Sequence, residues 1–369
     1  MKLGTVKEIK KYEYRVGMTP ANVKSYASRG HEVYIEKGAG LGSGFSDDEY
    51  EKNGAILLDS AKDVWETVDM MLKTKEPLPE EYQYFRKDLI LYTYLHLAAN
   101  RELTEKLVQS QVTGVAYETL SDKGLPLLAP MSQIAGRLSI QEGAKYLEKF
   151  FGGSGVLLSG IPGTPKADVL IIGGGVVGMN ACKIAVGMGA NVTIADVDLS
   201  RLEFLDNLFG SRIQTMVSND ANIEEAVKTA DLIIGAVLIP GSSTPKILKK
   251  DHLKLMKKGS VLVDVAVDQG GCFETSRVTY HDDPTFIEEG IVHYCVGNMP
   301  GAVPRTSTIA LTNATLNYGL QIADKGLEKA CEENESIYSA INTYQGKVTY
   351  PGVAGSLNME CSDIKKLIR

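Results

Sequence analysis

The sequence predicts an α/β protein of two doubly wound, Rossmann-like domains with mainly parallel sheets. Three observations lead to this prediction: the length, the alternation of strands with helices, and a glycine-rich segment near the middle of the chain. At 369 residues the chain is too long for one ordinary core and fits two domains. Short β-branched runs alternate with helical patterns almost throughout, which is typical of parallel sheets built from βαβ units.

The composition excludes several classes of protein. Hydrophobic residues make up 44% and charged residues 23%, as in soluble globular proteins. A net charge of −7 argues against a nucleic-acid partner, which requires a basic face. No apolar run is long enough to span a bilayer, and the N-terminus lacks a signal-peptide core, so we expect no membrane partner. Five scattered cysteines without a CxxC pair favour reduced thiols in a cytoplasmic protein.

The first part of the chain supplies one series of strands. Between them, a helix over 19–28 begins at Thr19 with Pro20 in its first turn, and another is predicted over 99–109. The predicted strands are 4–9, 32–36, 55–59, 69–73, 88–95 and 113–119.

A domain junction is predicted around residues 132–166. A helical pattern over 132–150, with Phe150 as its last apolar position, leads into a glycine-rich stretch. The second series of strands is 169–172, 192–195, 213–217, 232–237, 261–267 and 291–296. After Pro304 an apolar helical spacing predicts a long helix that returns to the first domain. We therefore expect one domain from 1–130 with 305–369 and a second over 131–304.

The segment VLIIGGGVVGMNACKIAVGMGANVTIADVD fits a dinucleotide-binding βαβ unit. An apolar strand ends at Gly173, and residues 173–178 match G-x-G-x-x-G. Gly173 permits the tight turn, Gly175 lets the backbone approach a pyrophosphate, and Gly178 lets the helix pack closely on the strand. The helix directs its free N–H groups at the phosphates. With strand, helix and next strand in place, a purely structural turn is a poor alternative.

The second strand of this unit ends in Asp196, about twenty residues on. A carboxylate there accepts hydrogen bonds from ribose hydroxyls and repels a 2′-phosphate, so the sequence predicts NAD over NADP. Arg201 follows shortly after and weakens that preference. Its alternative role is that of a solvated cation on a helix face.

Three charged or titratable residues follow three strands of the first domain. Arg15 offers a planar fork suited to a carboxylate, Lys75 a compact positive charge, and His96 a proton exchanger near neutral pH. Because ligands bind beyond the carboxyl ends of strands in doubly wound sheets, we expect these residues to meet at one edge. For His96, with its apolar neighbours, a buried structural histidine is the alternative.

Two turns of the second domain also end strands. Asp268, in VLVDVAVDQGG, is expected to face a cleft between the domains, or else to initiate a turn before Gly-Gly. Asn298 and Met299 end another strand and are expected to line the cofactor site, or to form only a proline-stopped loop.

Long motifs in order along nearly the whole chain carry a specific resemblance. They include EYRVGMTPANV, KTKEPLPEEY, LYTYLHLAANRELT, PLLAPMSQIAGRLS, VDVAVDQGGCFETSRVT and NMPGAVPRTSTIALTNATL. The sequence resembles the NAD-dependent alanine dehydrogenase family, which is shared with the nucleotide-binding part of transhydrogenase. The resemblance implies reversible oxidative deamination of L-alanine to pyruvate and ammonia, in a homohexamer.

The resemblance also implies roles for individual residues. Arg15 and Lys75 would bind the substrate, with His96 as acid–base catalyst and Asp268 as a second catalytic carboxylate. The implied NAD contacts are Ser132, Val176, Val177, Asp196, Arg201, Ser218, Val237, Leu238, Arg277, Asn298 and Met299. Some relatives pair a glutamate matching Glu118 with a C-terminal histidine around a metal. Here that histidine position is Lys325, so no metal site is expected.

Two other functions compete with this one. A soluble NAD(H)-binding component of proton-translocating transhydrogenase would lack the histidine at position 96 and have glutamate in place of Asp268, so both residues favour the dehydrogenase. A 2-hydroxy acid or saccharopine-type dehydrogenase requires a different acid–base set or a larger pocket. With substrate groups in one domain and the cofactor in the other, we expect the connections at 132–150 and near Pro304 to act as hinges.

Overall fold

The computed structural model describes residues 1–237 and 244–368. They form two compact units. Unit 1 comprises Met1–Met131 and Val303–Arg369, and unit 2 comprises Ser132–Ala302.

Unit 1 is built on a sheet that has eight strands among its described residues, in the order β15-β14-β6-β5-β4-β1-β2-β3. Strands β1 to β6 are parallel, and β14 and β15 add to the edge as antiparallel strands. The bounds, numbered along the chain, are β1 Lys2–Thr5, β2 Glu32–Glu36, β3 Ala55–Leu58, β4 Met70–Leu72, β5 Ile90–Thr93, β6 Thr113–Ala116, β14 Ile341–Tyr344 and β15 Lys347–Val348.

Helices from both ends of the chain cover this sheet. They are α1 Pro20–Ala27, α2 Asp47–Lys52, α3 Ala61–Thr67, α4 Arg101–Gln109, α9 Pro304–Lys325, α10 Leu327–Glu333, α11 Pro351–Leu357 and α12 Ile364–Leu367. One core packs apolar side chains of β4 and β5 against α3, α4 and α11, with Trp65 fully buried. The long helix α9 joins the sheet through Tyr92, whose hydroxyl donates to the Thr315 carbonyl at 3.0 Å. The residues from Val303 onward belong to unit 1.

Unit 2 contains a second sheet, with seven described strands in the order β12-β13-β11-β10-β7-β8-β9. All pairs are parallel except the edge pair β12–β13. The bounds are β7 Asp168–Ile172, β8 Asn191–Asp196, β9 Gln214–Val217, β10 Leu232–Gly235, β11 Val261–Asp264, β12 Thr285–Glu288 and β13 Ile291–Tyr294. The strand order reverses at β7, which lies between β8 and β10 and therefore marks the switch point where such sheets bind ligands.

The helices of this part of the chain are α5 Ala129–Tyr146, α6 Val176–Gly187, α7 Leu199–Phe209 and α8 Asp220–Thr229. A core of β7, β10 and β11 side chains packs against α8 and against Phe273. No helix of the described residues is long and apolar enough to cross a membrane.

The predicted α/β class, with two mainly parallel doubly wound sheets, is confirmed. Several strands end earlier than predicted, and after one of them a side chain accepts a backbone hydrogen bond. The strand predicted over 88–95 ends at Thr93, since the Glu118 carboxylate accepts from the backbone N–H of Leu95 at 3.1 Å. The predicted 113–119 strand ends at Ala116 in a 3-10 turn.

The helix predicted over 132–150 is shifted. It runs over Ala129–Tyr146, and the assignment of Phe150 to its apolar face is wrong because Phe150 is 90% exposed. The chain turns back at this point, where the Gly153 N–H donates to the Glu148 carbonyl at 3.2 Å. That turn places Phe150 in a short 3-10 segment outside the helix.

Candidate active site

In the glycine-rich turn after β7, two of the three motif glycines are sterically required by the fold. Gly173 has φ +103°, and a Cβ there would lie 2.7 Å from the Ala236 carbonyl oxygen. A Cβ on Gly178 would lie 1.8 Å from the Gly173 oxygen. Around Gly175 a Cβ would meet open space. Two glycines are therefore required by the fold itself, and the third leaves room for a ligand.

Helix α6 begins directly after this turn. Its N-cap, Gly175, contributes no side-chain hydrogen bond, while Val176 is exposed and Val177 half-buried. The first N–H groups of a helix have no partners within the helix and carry partial positive charge. The turn and the start of α6 thus provide donors of the kind that phosphates bind.

Asp196, at the end of β8, is held by the same turn. Its carboxylate accepts from the Gly174 N–H at 2.6 Å and the Asp198 N–H at 3.0 Å. Arg201 Nε donates to the Gly174 carbonyl, and its guanidinium lies 4.8 Å from the Phe204 ring centroid. Arg201 is therefore bound to the turn rather than being only a solvated cation.

The other residues predicted to contact the cofactor are distributed unevenly around this turn. The Ser218 N–H donates to the Asp196 carbonyl at 2.9 Å, which places Ser218 beside the end of β8. Val237 follows β10, and its backbone nitrogen would lie 3.0 Å from a Cβ on Gly173. Ser132 is half-buried in α5. Leu238 lies outside the described residues.

Arg277 lies elsewhere in unit 2. Its guanidinium lies 4.0 Å from the centroid of the Phe286 ring on edge strand β12. Three strands separate β12 from β7, so the structure does not bring Arg277 to the glycine-rich turn.

Asp268 and Asn298 are brought together. Asp268, exposed in a 3-10 turn after β11, accepts from the Asn298 backbone N–H at 3.0 Å through Oδ2. Asn298 has φ +60°, and the neighbouring Met299 is buried. The Asp268 carboxylate thus links two strand-end turns of unit 2, which goes beyond the alternative role of starting a Gly-Gly turn.

In unit 1, the strands that precede Arg15, Lys75 and His96 are neighbours. Strands β5, β4 and β1 are adjacent and parallel, and the strand order reverses at β1. Their carboxyl ends therefore lie at one edge of the sheet, at its switch point. The charges of Arg15 and Lys75 act on each other there.

Arg15 is buried and paired with Glu13. Its Nε and Nη2 donate to the two Glu13 carboxylate oxygens, each at 2.6 Å, and Nη1 lies 3.1 Å from Met131 Sδ. Burial alone would raise the pKa of Glu13, but the bonds and charge of Arg15, aided by Lys75, lower it to about 2. Glu13 thus fixes the orientation of a charged guanidinium.

Lys75 lies in the loop after β4 and is half-buried. Its ammonium forms no hydrogen bond or ion pair with a described residue. Burial and the positive charges of Arg15 and Lys10 lower its pKa, against the opposing charges of Glu76 and Glu13. Lys75 is therefore a partly desolvated cation without a bound carboxylate among these residues.

A buried ionic triad holds the Lys75 loop. Lys73 Nζ contacts Glu8 Oε2 at 2.8 Å and Glu81 Oε1 at 3.0 Å. The other Glu8 oxygen accepts from the backbone N–H groups of Thr74 at 2.6 Å and Lys75 at 3.1 Å. Strand β1 spans Lys2–Thr5, so Glu8 lies beyond its end, although a strand was predicted over 4–9.

His96 follows β5 in the left-handed backbone region, with φ +50°. Its backbone N–H donates to Glu118 Oε1 at 2.6 Å, and its ring stacks on Tyr94 with centroids 5.9 Å apart. The Tyr94 hydroxyl in turn donates to the Leu127 carbonyl at 2.6 Å. His96 is exposed, so the alternative of a buried structural histidine is wrong.

Sequence reasoning missed the residues that hold these side chains, namely Glu8, Glu13, Tyr94 and Glu118. Glu8, Tyr94 and Glu118 lie near the ends of the predicted strands 4–9, 88–95 and 113–119, and Glu13 follows the first of these strands, as Arg15 does. Reading the acidic residues at the strand ends together with the basic ones would have found Glu8 and Glu13.

Glu118 shows no metal-binding arrangement. Both of its oxygens accept backbone N–H groups of Leu95 and His96, and Lys325 pairs with Glu333. Across residues 1–237 and 244–368, no group of three or more His, Cys, Asp or Glu side chains could hold a metal ion.

Two models of known protein families match most of the chain. Residues 4–135 match the model of the alanine dehydrogenase/PNT N-terminal domain, and residues 139–351 match that of the alanine dehydrogenase/PNT C-terminal domain. The chain belongs to the alanine dehydrogenase/PNT family. The resemblance inferred from the sequence motifs is thereby confirmed.

Members of this family and their structures are similar over the whole chain. The alanine dehydrogenase of Staphylococcus haemolyticus is 54% identical over 372 residues, with all of both chains covered. A solved L-alanine dehydrogenase has a TM-score of 0.94 and 50% identity, over 97% of this chain and 99% of its own. The transhydrogenase of Sinorhizobium meliloti, with a TM-score of 0.82 and 24% identity over 95% and 99%, shares the fold.

Proposed function

We propose that this protein catalyses the reversible NAD-dependent oxidative deamination of L-alanine to pyruvate and ammonia. The observation that carries the proposal is the edge of unit 1 where Lys75, an ammonium without a bound carboxylate among the described residues, lies near Arg15. The proposal also takes into account that this chain is 54% identical, over the full length of both, to a protein named alanine dehydrogenase.

The charges at this edge suit one carboxylate. Three cations, Lys10, Arg15 and Lys75, interact there with two carboxylates, Glu13 and Glu76. Lys10 pairs with Glu76 and Arg15 with Glu13, so Lys75 is the cation of this group whose ammonium has no bonded carboxylate among the described residues. A 2-amino or 2-oxo acid supplies one carboxylate, which Arg15 and Lys75 would bind and orient.

Proton transfer is the proposed role of His96. Its imidazole is exposed at the same edge, fixed by stacking on Tyr94 and by the backbone bond to Glu118. A histidine exchanges protons near neutral pH, so it would take a proton from the substrate ammonium and from the attacking water. Asp268 is proposed as the second catalytic carboxylate, orienting the amino group or ammonia.

NAD is the proposed cofactor, and the residues present in unit 2 fit it. The open space at Gly175 and the exposed start of α6 suit a pyrophosphate, and Asp196 ends β8 where a ribose is expected. When bound there, NAD would supply the hydride acceptor for the substrate Cα–H. The proposed ligands are Ser132, Gly173, Gly175, Val176, Val177, Gly178, Asp196, Arg201, Ser218, Val237, Leu238, Asn298 and Met299. Arg277, which packs on Phe286 away from the turn, is proposed from the family resemblance alone.

In the balanced reaction, L-alanine, NAD⁺ and water give pyruvate, ammonium, NADH and one proton. The test follows NADH formation by the purified protein with NAD⁺ or NADP⁺ and a panel of small L-amino acids, D-alanine and L-lactate. We expect L-alanine with NAD⁺ to give the highest kcat/KM. A preference for L-lactate, or no oxidation of any amino acid, would overturn the proposal.

Two further properties are proposed from the family. We expect a homohexamer, which light scattering would detect as six times the 40.0 kDa protomer mass. We also expect a cytoplasmic location, which suits the cysteines, all five of which are free thiols in the described chain. A monomeric mass in solution would contradict the hexamer.

A further inference from the structure

Next to Lys75, the side chain of Glu76 has a half-satisfied carboxylate. One oxygen, Oε1, pairs with Lys10 Nζ. The other, Oε2, is buried and has no hydrogen-bond partner among the described residues. The side chain as a whole is 12% exposed, whereas the Lys10 side chain is 40% exposed. A simple surface ion pair would leave both oxygens open to water.

The unpaired oxygen is costly for the folded protein. A buried polar acceptor without a donor loses the hydrogen bonds that water would give it, and the penalty is larger for a charged group. Such atoms are rare in proteins, and those that occur require an explanation. A ligand that donates an N–H to Oε2 would remove the penalty.

The surroundings favour the ionised form of this carboxyl, which directly follows Lys75 in the loop after β4. Burial alone would raise the pKa of Glu76, but the bond and charge of Lys10, and the charges of Lys75 and His96, lower it. Lys75 and His96 are thus both close enough to act on Glu76. The loop itself is anchored, because Glu8 accepts from the backbone N–H groups of Thr74 and Lys75.

We propose that Glu76 Oε2 accepts a hydrogen bond from the amino group of the substrate. This inference rests on the proposed function and deepens it. Arg15 and Lys75 would bind the carboxylate of the amino acid, and Glu76 would bind its ammonium, so that the zwitterion meets charges of both signs. A 2-hydroxy acid offers a neutral hydroxyl in place of the ammonium, and so loses the attraction between the positive ammonium and the Glu76 carboxylate. Glu76 is therefore a substrate-binding residue that favours amines.

The test separates the two substrates of the reductive direction. Glu76→Gln keeps the shape of the side chain and removes its charge. We expect the KM values for ammonia and L-alanine to rise roughly tenfold to a hundredfold, as for the loss of a hydrogen bond to a charged group. The KM for pyruvate should change by less than about twofold, because pyruvate has no amino group.

Two variants complete the design. Glu80→Gln removes an exposed carboxylate from the 3-10 turn Pro79–Tyr84 in the same segment and should leave all KM values unchanged. Glu76→Asp keeps the charge but shortens its reach, so it should give a smaller rise for ammonia than Glu76→Gln. If Glu76→Gln does not fold, as judged by its melting temperature, Glu76→Asp must still raise the KM for ammonia and leave that for pyruvate unchanged.

Each outcome has one meaning. An unchanged KM for ammonia, or an equal rise for pyruvate, would overturn the role of Glu76 while leaving alanine oxidation by the unmodified protein in place. An unmodified protein that oxidises L-lactate and no amino acid would overturn both the proposed function and this inference.

Discussion

Buried charges stabilise the edge of unit 1 where β1, β4 and β5 end. Arg15 is bound by Glu13, and Lys73 by Glu8 and Glu81, all with side chains at most 6% exposed. Breaking such a pair leaves an uncompensated buried charge, which costs about 3–5 kcal/mol. These residues therefore contribute to both stability and the orientation of the site.

The Glu13 carboxyl predicts a specific pH dependence of stability. Its pKa is lowered from 4.5 to about 2 in the folded protein, so its contribution is full above pH 4.5 and is lost as the pH falls towards 2. We expect the free energy of unfolding to fall more steeply in this window than it does in Glu13→Gln, by up to about 3 kcal/mol. Denaturant titrations at several pH values measure this difference.

The control for this prediction is Glu203→Gln, which changes an exposed glutamate of α7. Its free energy of unfolding should change with pH in parallel with that of the unmodified protein. If the free energy of unfolding of Glu13→Gln also changes in parallel with that of the unmodified protein, Glu13 is not the group that causes the pH dependence.

Asp196 predicts the cofactor preference. Asp196→Ala removes the carboxylate proposed to accept from the ribose and also the partner of the Gly174 N–H. NADH should bind roughly tenfold more weakly, and the preference for NADH over NADPH should fall, because the repulsion of a 2′-phosphate is gone. Fluorescence titration with both nucleotides measures this. Asp206→Asn, an exposed change on α7, serves as the control. Equal use of NADP by the unmodified protein would show the ribose argument to be wrong.

At the scale of elements, we expect one substitution in the turn between β7 and α6 to weaken nucleotide binding with little change in stability. Gly175→Ala adds a methyl group where nothing lies within 4 Å, so the free energy of unfolding should change by less than about 1 kcal/mol. Nucleotide binding should weaken strongly, because the backbone no longer approaches the pyrophosphate.

Gly187→Ala provides the matched control at the other end of the same helix. There too a Cβ meets nothing within 4 Å, and alanine in a helix should stabilise by about 0.5–1 kcal/mol. Calorimetry gives both the unfolding temperature and the affinity. Unchanged nucleotide affinity in Gly175→Ala would mean that the open space at Gly175 is not the phosphate site.

The parallel strands could be predicted from the sequence, whereas three antiparallel strands could not. Strands β12, β14 and β15 have the sequences TFIE, INTY and KV, and all pair at sheet edges. Short edge strands mix polar and apolar residues, so they lack the continuous β-branched runs that identify buried parallel strands. Their position depends on partners far away in the sequence.

The residues proposed to bind the substrate could be selected from the sequence, whereas the contacts that support them could not. Arg15, Lys75 and His96 follow apolar strands, a local signal. The pairing of Glu8 with Lys73, and of Glu118 with the His96 backbone, depends on segments that only the folded chain brings together. Local patterns carry no information about such contacts.

At the scale of the whole molecule, the positions of the two connections lead us to expect that they act as hinges between the units. Helix α5 begins at Ala129, so the boundary after Met131 lies in its first turn, and the second boundary precedes Pro304, where α9 begins. Hinges are commonly found at such ends of elements. We expect the radius of gyration from X-ray scattering to fall when NAD⁺ and substrate are both added. An unchanged radius at full activity would defeat the hinge prediction and leave the residue roles standing.

The mixed origin of unit 1 has a consequence for synthesis. Strand β14, from residues 341–344, covers β6, which would otherwise be an edge of the sheet. A ribosome therefore finishes the continuous unit 2 while β6 in unit 1 still lacks its neighbour. Exposed strand edges on nascent chains promote aggregation, so the need for chaperones should be greatest during the interval between the emergence of β6 and that of β14.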